Sequence, residues 1–484
     1  MKNQNNKTLR RQLSPMHVWA LAFGCIIEWG SFVNPGKKFL PDSGVAGTAI
    51  AMALGAIVMI IIAFNYAYMI PKYPKVGGEF TFTKECLGKN IAFICGWFLI
   101  AAYLTNVPMN STAIGLIVDG LDGNADILKF GFHYTVAGFE IYFGEMLVST
   151  AILVLFAVVN WLGVKKAGIV QTVLSGLLVV SVFALAIAAL ISSKAQGIHM
   201  EPVWGFDKNA AMAAGATSEN ISDFAKSGTA GITSAILATF AITPWAYVGF
   251  DTIPQAAEEF KFSYKKVMGI MVLAILFGCF VYTTNNTVAA VALENWPDRV
   301  MAGDWVLLVA AEEMLGVFGK VLVGTAVSGA VLSGIMGFYL ASSRLMYSIA
   351  QDAYLPEIFA KLDGKYGTPR NAIFFCFIIS LSGPILGREA LGWFVDMSAI
   401  GASMGFFFTC AAAFKKMRAD QDGNAFLKSM SIMGMLFSAL FMILQFIPIP
   451  GMNGLHWGKE SYWMLLVWII IGVVSFLTKK KVRN

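Results

Sequence analysis

Long apolar runs alternate along this chain with short polar segments, and most runs are about as long as one bilayer crossing. They fall near residues 17–40, 45–70, 91–117, 146–163, 168–192, 231–256, 267–292, 316–349, 371–386, 391–413, 429–447 and 461–478. A membrane-spanning helix needs about 20 consecutive apolar residues. The pattern therefore predicts an all-α integral membrane protein of twelve transmembrane helices. Continuous runs, rather than short stretches of alternating polarity, argue against a transmembrane β-barrel. The longer polar stretches, near 118–145 and 193–230, are expected to form short outer helices or loops. Those near 71–90 and 351–370 are expected to include amphipathic segments on the membrane surface.

The placement of positive charge orients this layout. With a cytoplasmic N-terminus, the inner segments hold Lys2, Lys7, Arg10, Arg11, Lys72, Lys75, Lys84, Lys89, Lys165 and Lys166. They continue with Lys261, Lys265, Lys266, Arg344, Lys361, Lys365, Arg370, Lys415, Lys416, Arg418, Lys428, Lys479, Lys480, Lys481 and Arg483, so that 25 of the 35 basic residues lie inside. Cytoplasmic loops of membrane proteins carry such an excess. Both termini are expected in the cytoplasm of a multi-pass plasma-membrane protein. The N-terminal residues lack a cleavable leader pattern, so the first apolar stretch is expected to be retained.

Composition narrows the function. Hydrophobic residues make up 57% of the 484 and charged residues only 13%, against about 45–50% and about 25% in soluble domains. A soluble multidomain enzyme and a disordered chain are both excluded. The net charge of +6 is accounted for by topology, and no nucleic-acid partner is needed to explain it. Cys25, Cys86, Cys95, Cys279, Cys376 and Cys410 lie mostly in apolar runs without metal-ligand spacing, and read as small buried hydrophobes. His17, His133, His199 and His456 are scattered, and no phosphate-binding or dinucleotide fingerprint is present. No cofactor or metal is expected, and enzymatic activity is not.

Two runs are interrupted. The first reads FGCIIEWGSFVNPG, from Phe23 to Gly36, with Glu28 at its centre, and the sixth reads AITPWAYVGFD, from Ala241 to Asp251. Gly and Pro loosen helices, and backbone freed in the membrane survives where it lines a cavity. Amides opening an outer half-helix at Gly30, Ser31 and Phe32 would attract a carboxylate, and carbonyls closing the other would accept from an ammonium. That pairing suits a zwitterion. The breaks lie five helices apart, an odd offset that reverses membrane orientation, as an inverted repeat requires.

At these residues the chain resembles the amino acid–polyamine–organocation (APC) superfamily of permeases. Gly24 to Gly36 is similar to the first-helix motif. Tyr73, Pro74, Gly77, Gly78, Glu79 and Phe80 resemble an inner-loop pattern. Gly96 and Trp97, then Asn160, Gly163 and Val164, match the start of the third helix and the end of the fourth. Trp245 to Asp251, with Glu258 and Glu259, resemble the sixth-helix signature. Ser343, Arg344, Ala350, Asp352, Leu355 and Pro356 resemble the stretch ending the eighth helix.

The resemblance implies a LeuT-like 5+5 inverted repeat with broken helices 1 and 6. It divides the chain into a tail (1–16), a ten-helix core (17–414), two peripheral helices (415–478) and a second tail (479–484). It places substrate at Ile27, Glu28, Trp29, Gly30 and Ser31, and at Thr243, Trp245, Ala246 and Tyr247. Trp245 matches the aromatic that caps bound substrate. Asn106 matches a substrate-touching asparagine of the family's bacterial arginine/agmatine exchanger, and Asp251 an acid linked there to protonation and gating. Ser333 and Phe338 are further candidates. Two features depart from the pattern. Glu28 and Trp29 stand where Gly and Ser are usual, and Leu178 sits where some proton-coupled relatives have a lysine.

An ionisable residue inside a span is functional by default because placing it there is costly. Glu28 is read as a proton acceptor or as counter-ion to an amine, against a purely structural carboxylate. Asp251 is a gating acid or a helix cap. Asp396 is read as a packed or interfacial carboxylate, and Arg344, Glu258 and Glu259 as inner-gate or loop-anchoring charges. The expected function is secondary transport of amino acids or related amines by alternating access, either proton-coupled or by exchange, in a monomer or homodimer. A membrane-embedded enzyme, a substrate sensor on a transporter fold and a channel are the competing classes.

Overall fold

The computed structural model describes residues 9–121, 126–192, 199–388, 390–446 and 457–478. Lys2, Lys7, Lys479, Lys480, Lys481, Arg483 and His456 therefore lie outside the described residues, as do residues 1–8 of the first predicted tail and the whole of the second.

The chain is helical almost throughout. Helix α1 (Pro15–Ile26) starts where Ser14 accepts from the His17 amide at 3.3 Å and Pro15 opens the first turn, a position where proline forfeits no bond. It ends at Ile27, whose backbone is extended. Helix α2 (Gly30–Asn34) resumes after three non-helical residues and runs through a π-turn at Pro35–Phe39 into α3 (Leu40–Lys72), which is kinked at Gly44. Then come α4 (Gly78–Leu87), α5 (Lys89–Leu121), and a hairpin of β1 (His133–Val136) and β2 (Phe139–Tyr142). After the hairpin run α6 (Phe143–Trp161), α7 (Val164–Ile191) and the short α8 (Lys208–Ala213).

The sixth apolar run contains α9 (Gly228–Phe240), α10 (Thr243–Ala246) and a 3-10 segment, Phe250–Glu259, bent by 41° at the break. The second half holds α11 (Val267–Val291), α12 (Trp296–Ala302), α13 (Val306–Leu315) and α14 (Val317–Gln351). It closes with α15 (Arg370–Ser380), α16 (Ser382–Leu386), α17 (Ala390–Asp420), α18 (Ala425–Phe446) and α19 (Lys459–Leu477).

Each of the twelve predicted runs meets helix. Among the described residues, nine helices are long and apolar enough to cross a membrane, or ten with the bent pair. Gly30–Lys72 counts as one such helix of 43 residues, because the segment PGKKFLPDSG continues helically instead of looping. Pro35 and Pro41 each occupy an opening turn, where they are tolerated. Helix α5 packs between α14 and α17, and α1 packs on α7, α11 and α14. Around this core, α7, α18 and α19 expose Val180, Leu436, Trp463 and Val473, as lipid-facing helices must.

Candidate functional site

Where α1 stops, Ser31 turns back on the loosened chain. Its amide donates to the Glu28 carbonyl at 3.2 Å and its hydroxyl donates to the same oxygen at 2.9 Å. The Asn285 amide of α11 donates to the Ser31 carbonyl at 3.0 Å, and the Tyr282 hydroxyl donates to the Ile26 carbonyl at 3.3 Å. The break is thus a fixed turn held from a neighbouring helix. The Glu28 side chain is only 3% exposed, and no basic side chain forms an ion pair with it among the described residues. Asn110, on α5, is its polar neighbour.

The second break faces the first. The Trp29 and Trp245 rings lie 6.3 Å apart, tilted by 51°. A Cβ on Gly30 would collide with the Trp245 ring, so the glycine lets the indole lie directly on the turn. Gly249 has φ +146°, and a Cβ there would come within 2.6 Å of the Ile26 amide nitrogen and 2.7 Å of the Ala22 carbonyl. The second break therefore packs its backbone against the last turns of α1, just before the first break.

Other candidates are distributed around this contact. The Asn106 amide donates to Ala102 O at 2.8 Å and to Ser398 Oγ at 2.9 Å, leaving its own carbonyl oxygen unpartnered. Thr243 donates its hydroxyl to Phe240 O at 2.7 Å. The Thr243 and Trp245 carbonyls already accept from the amides of Tyr247 and Val248, at 3.0 and 3.1 Å, and the Ala246 amide donates to Ile242 O. Tyr247 turns towards α3 and donates to Met52 O at 2.8 Å. Ser333 joins α14 to α1 by donating to Gly24 O at 3.1 Å, while Phe338 stacks on Tyr103, 6.2 Å away. The structure thus brings Glu28, Trp29, Gly30 and Trp245 together, and directs the side chains of Tyr247, Ser333 and Phe338 to packing partners.

Beneath the breaks lies a buried acidic cluster. Asp251 Oδ1 accepts from the Gly249 amide at 2.7 Å. The Tyr103 hydroxyl lies 3.0 Å from Asp251 Oδ2 and 3.2 Å from Glu79 Oε1. Glu79 also accepts from Tyr66 at 2.9 Å and from Gln255 at 2.6 Å. Sequence reasoning had Glu79 only as a motif letter and did not single out Tyr66, Tyr103, Gln255 or Asn110. Asn110 carried one signal, its position one turn beyond Asn106 on the same helix.

The side of the breaks that meets the N-terminal segment is sealed. Arg344 Nη2 pairs with Glu259 Oε1 at 3.2 Å, with both side chains fully buried. The Gln12 and Leu13 amides donate to Glu259 O at 2.8 and 2.9 Å, and the Lys261 amide donates back to Leu13 O at 3.0 Å. Glu258 accepts from the Val76 amide at 3.1 Å. On the opposite side, Trp245 lines a small cavity of about 40 Å³ with Lys38, Asp396, Gln445 and Trp457. Asp396 accepts from Ser461 at 2.6 Å. Further out, Arg388 bridges Asp119 and Glu145. Among the described residues, no cluster of His, Cys, Asp or Glu has the makings of a metal site.

The chain is similar to the "Branched-chain amino acid permease BcaP" of Bacillus subtilis, with 26% identity over 98% of this chain and 94% of that protein. It is also similar to the "Cationic amino acid transporter 4, vacuolar" of Arabidopsis thaliana, with 22% identity over 84% of this chain and 63% of that protein. The human "Large neutral amino acids transporter small subunit 2" is 25% identical over 77% of this chain and 64% of its own length. The family model described as amino acid permease matches residues 13–474. The chain is a multi-pass membrane protein of the transporter class and belongs to the amino acid permease family of the APC superfamily.

Proposed function

We propose that this protein is a secondary active transporter that moves amino acids or related amines across the plasma membrane by alternating access. The observation that carries this reading is the contact between two helix breaks. Glu28 is buried at the first, Trp245 of the second lies over Gly30 of the first, and a closed layer stands on one side of them. Transporters use half-helix ends as midplane sites, and permeases named for amino acids are this chain's relatives over nearly its full length.

In this reading twelve spans form a ten-helix inverted-repeat core with two peripheral helices, and both termini are cytoplasmic. Trp245 is the outer cap. Opening inward requires Arg344 to leave Glu259 and the Gln12–Leu13 segment to leave the carbonyl of Glu259. Proton coupling is the favoured mode, because Glu79 and Asp251 are linked through one tyrosine hydroxyl beside the moving break. Exchange of amino acid for amine is the alternative.

Purified protein in liposomes tests both. Labelled-substrate uptake is measured with and without an inward proton gradient, and again after preloading with unlabelled substrate. Uptake accelerated by the gradient supports coupling, and uptake that needs internal substrate supports exchange. Absence of uptake for every amino acid and amine contradicts the transport reading.

A further inference from the structure

The chemistry of the first break restricts which solute can sit there. Four side chains around the paired breaks are at least nine-tenths buried and still carry unpartnered polar atoms: Glu28, Trp29, Asn110 and Trp245. Burial of a polar group is unfavourable unless it is hydrogen-bonded, and native structures leave few such groups unpaired. The identities of these atoms describe the kind of group that the break can receive. Among these side-chain atoms, both Glu28 oxygens and Asn110 Oδ1 are acceptors and the two indole N–H groups are donors.

Apart from the two indoles, the nearby side-chain donors are largely engaged. The Asn110 amide donates one N–H to Asn106 O at 2.8 Å and turns the other towards Glu28, while the Asn106 amide donates to Ala102 and Ser398. Both donors of Ser31 go to the Glu28 carbonyl, and the Tyr282 hydroxyl goes to Ile26 O. Among the described residues, no Lys, Arg or His forms an ion pair with Glu28, and Arg344 is held by Glu259 at the inner seal. A site rich in acceptors, with a carboxylate and two tryptophan rings, matches an alkylammonium or guanidinium. Such groups are donors only, and cations are attracted to indole faces. It opposes a bare carboxylate, which would meet Glu28 at the turn where the family's usual glycine would leave the backbone amides clear.

We propose that the first break binds a cationic nitrogen of the substrate with Glu28 as its counter-ion, so that this permease selects solutes of net positive charge. The shared chemistry is an amine with positive charge to spare: a cationic amino acid, or the amine left when its carboxyl group is lost. This specificity rests on the transport reading above.

The test uses the purified full-length protein with three probes: L-lysine, 1,5-diaminopentane and L-leucine. Binding is read by thermal shift and transport by labelled uptake into liposomes. Wild type is expected to prefer lysine or diaminopentane to leucine by at least about tenfold, which corresponds to about 1.4 kcal/mol. Lysine bound best means that the carboxylate is kept, and diaminopentane bound best means that Glu28 stands in for it; either supports the proposal. Glu28→Gln is expected to lose that preference at least tenfold, and Glu28→Gly to gain leucine. Leucine preferred by wild type overturns the proposal while leaving transport intact, as does cation affinity unchanged within twofold in Glu28→Gln. If the Glu28 variants do not fold, the rank order of the three probes on wild type alone decides. Failure of all three probes, and of every other amino acid and amine, contradicts the transport reading itself.

Discussion

Gly30 and Gly249 set the limits of the site at the scale of single residues. At Gly30 a methyl group must displace the Trp245 ring, and at Gly249 it must displace backbone at a φ of +146°. Strained backbone of this kind costs of order 1–3 kcal/mol. Gly249→Ala is therefore expected to lower thermal stability of the detergent-solubilised protein. Gly176→Ala, with nothing within 4 Å of the new Cβ, should be neutral or slightly stabilising, since alanine favours helix by about 1 kcal/mol. Equal behaviour of the two would refute the backbone packing of the second break on α1.

The buried acid pair gives a second residue-scale expectation. Tyr103→Phe removes the hydroxyl between Glu79 and Asp251 without touching Glu28. The account predicts transport slowed at least tenfold, with the gradient dependence altered and substrate affinity kept. An unchanged gradient response would remove the pair from the coupling scheme. Glu28 could be picked out from sequence because a charge inside an apolar run is conspicuous. The acid cluster could not, since its bonds join residues 148 and 176 positions apart. Sequence order alone does not indicate which polar residues of different helices will meet.

At the scale of elements, periodic apolar runs located the helices well because lipid forces each run to satisfy its own backbone. They failed at one junction. Residues 35–44 carry the glycine, proline and charge of a loop, yet they hold a π-turn and helix. Both breaks were legible from Gly, Pro and Glu28 because these residues have no place in an uninterrupted span. The inner seal was legible as charged residues but not as a pairing. Removing one partner of a buried ion pair costs about 3–5 kcal/mol, whereas replacing both with apolar residues can be neutral. Arg344→Met alone is expected to destabilise by that order. Arg344→Met with Glu259→Leu should recover most of the loss in a thermal unfolding assay. If the double variant is as unstable as the sum of the singles, the pair is not what matters at that seal.

For the whole molecule, the distribution of basic residues predicts which surface meets the cytoplasm, and labelling checks it. Thr135, in the β1–β2 hairpin, and Lys365, before α15, are both exposed. Thr135→Cys is expected to react with a membrane-impermeant maleimide in intact cells, and Lys365→Cys only after permeabilisation, each compared with the unmodified protein. The reverse result would invert the topology and exchange the inner and outer gates.

The central claim is that solute crosses at the paired breaks, moving past Trp245. It is tested most directly by initial-rate uptake into liposomes holding wild type or Trp245→Ala. The account predicts saturable uptake of an amino acid or amine by wild type, with affinity or rate reduced at least tenfold in the folded variant. Uptake that fails to saturate in wild type, or that is unchanged in Trp245→Ala, would contradict it.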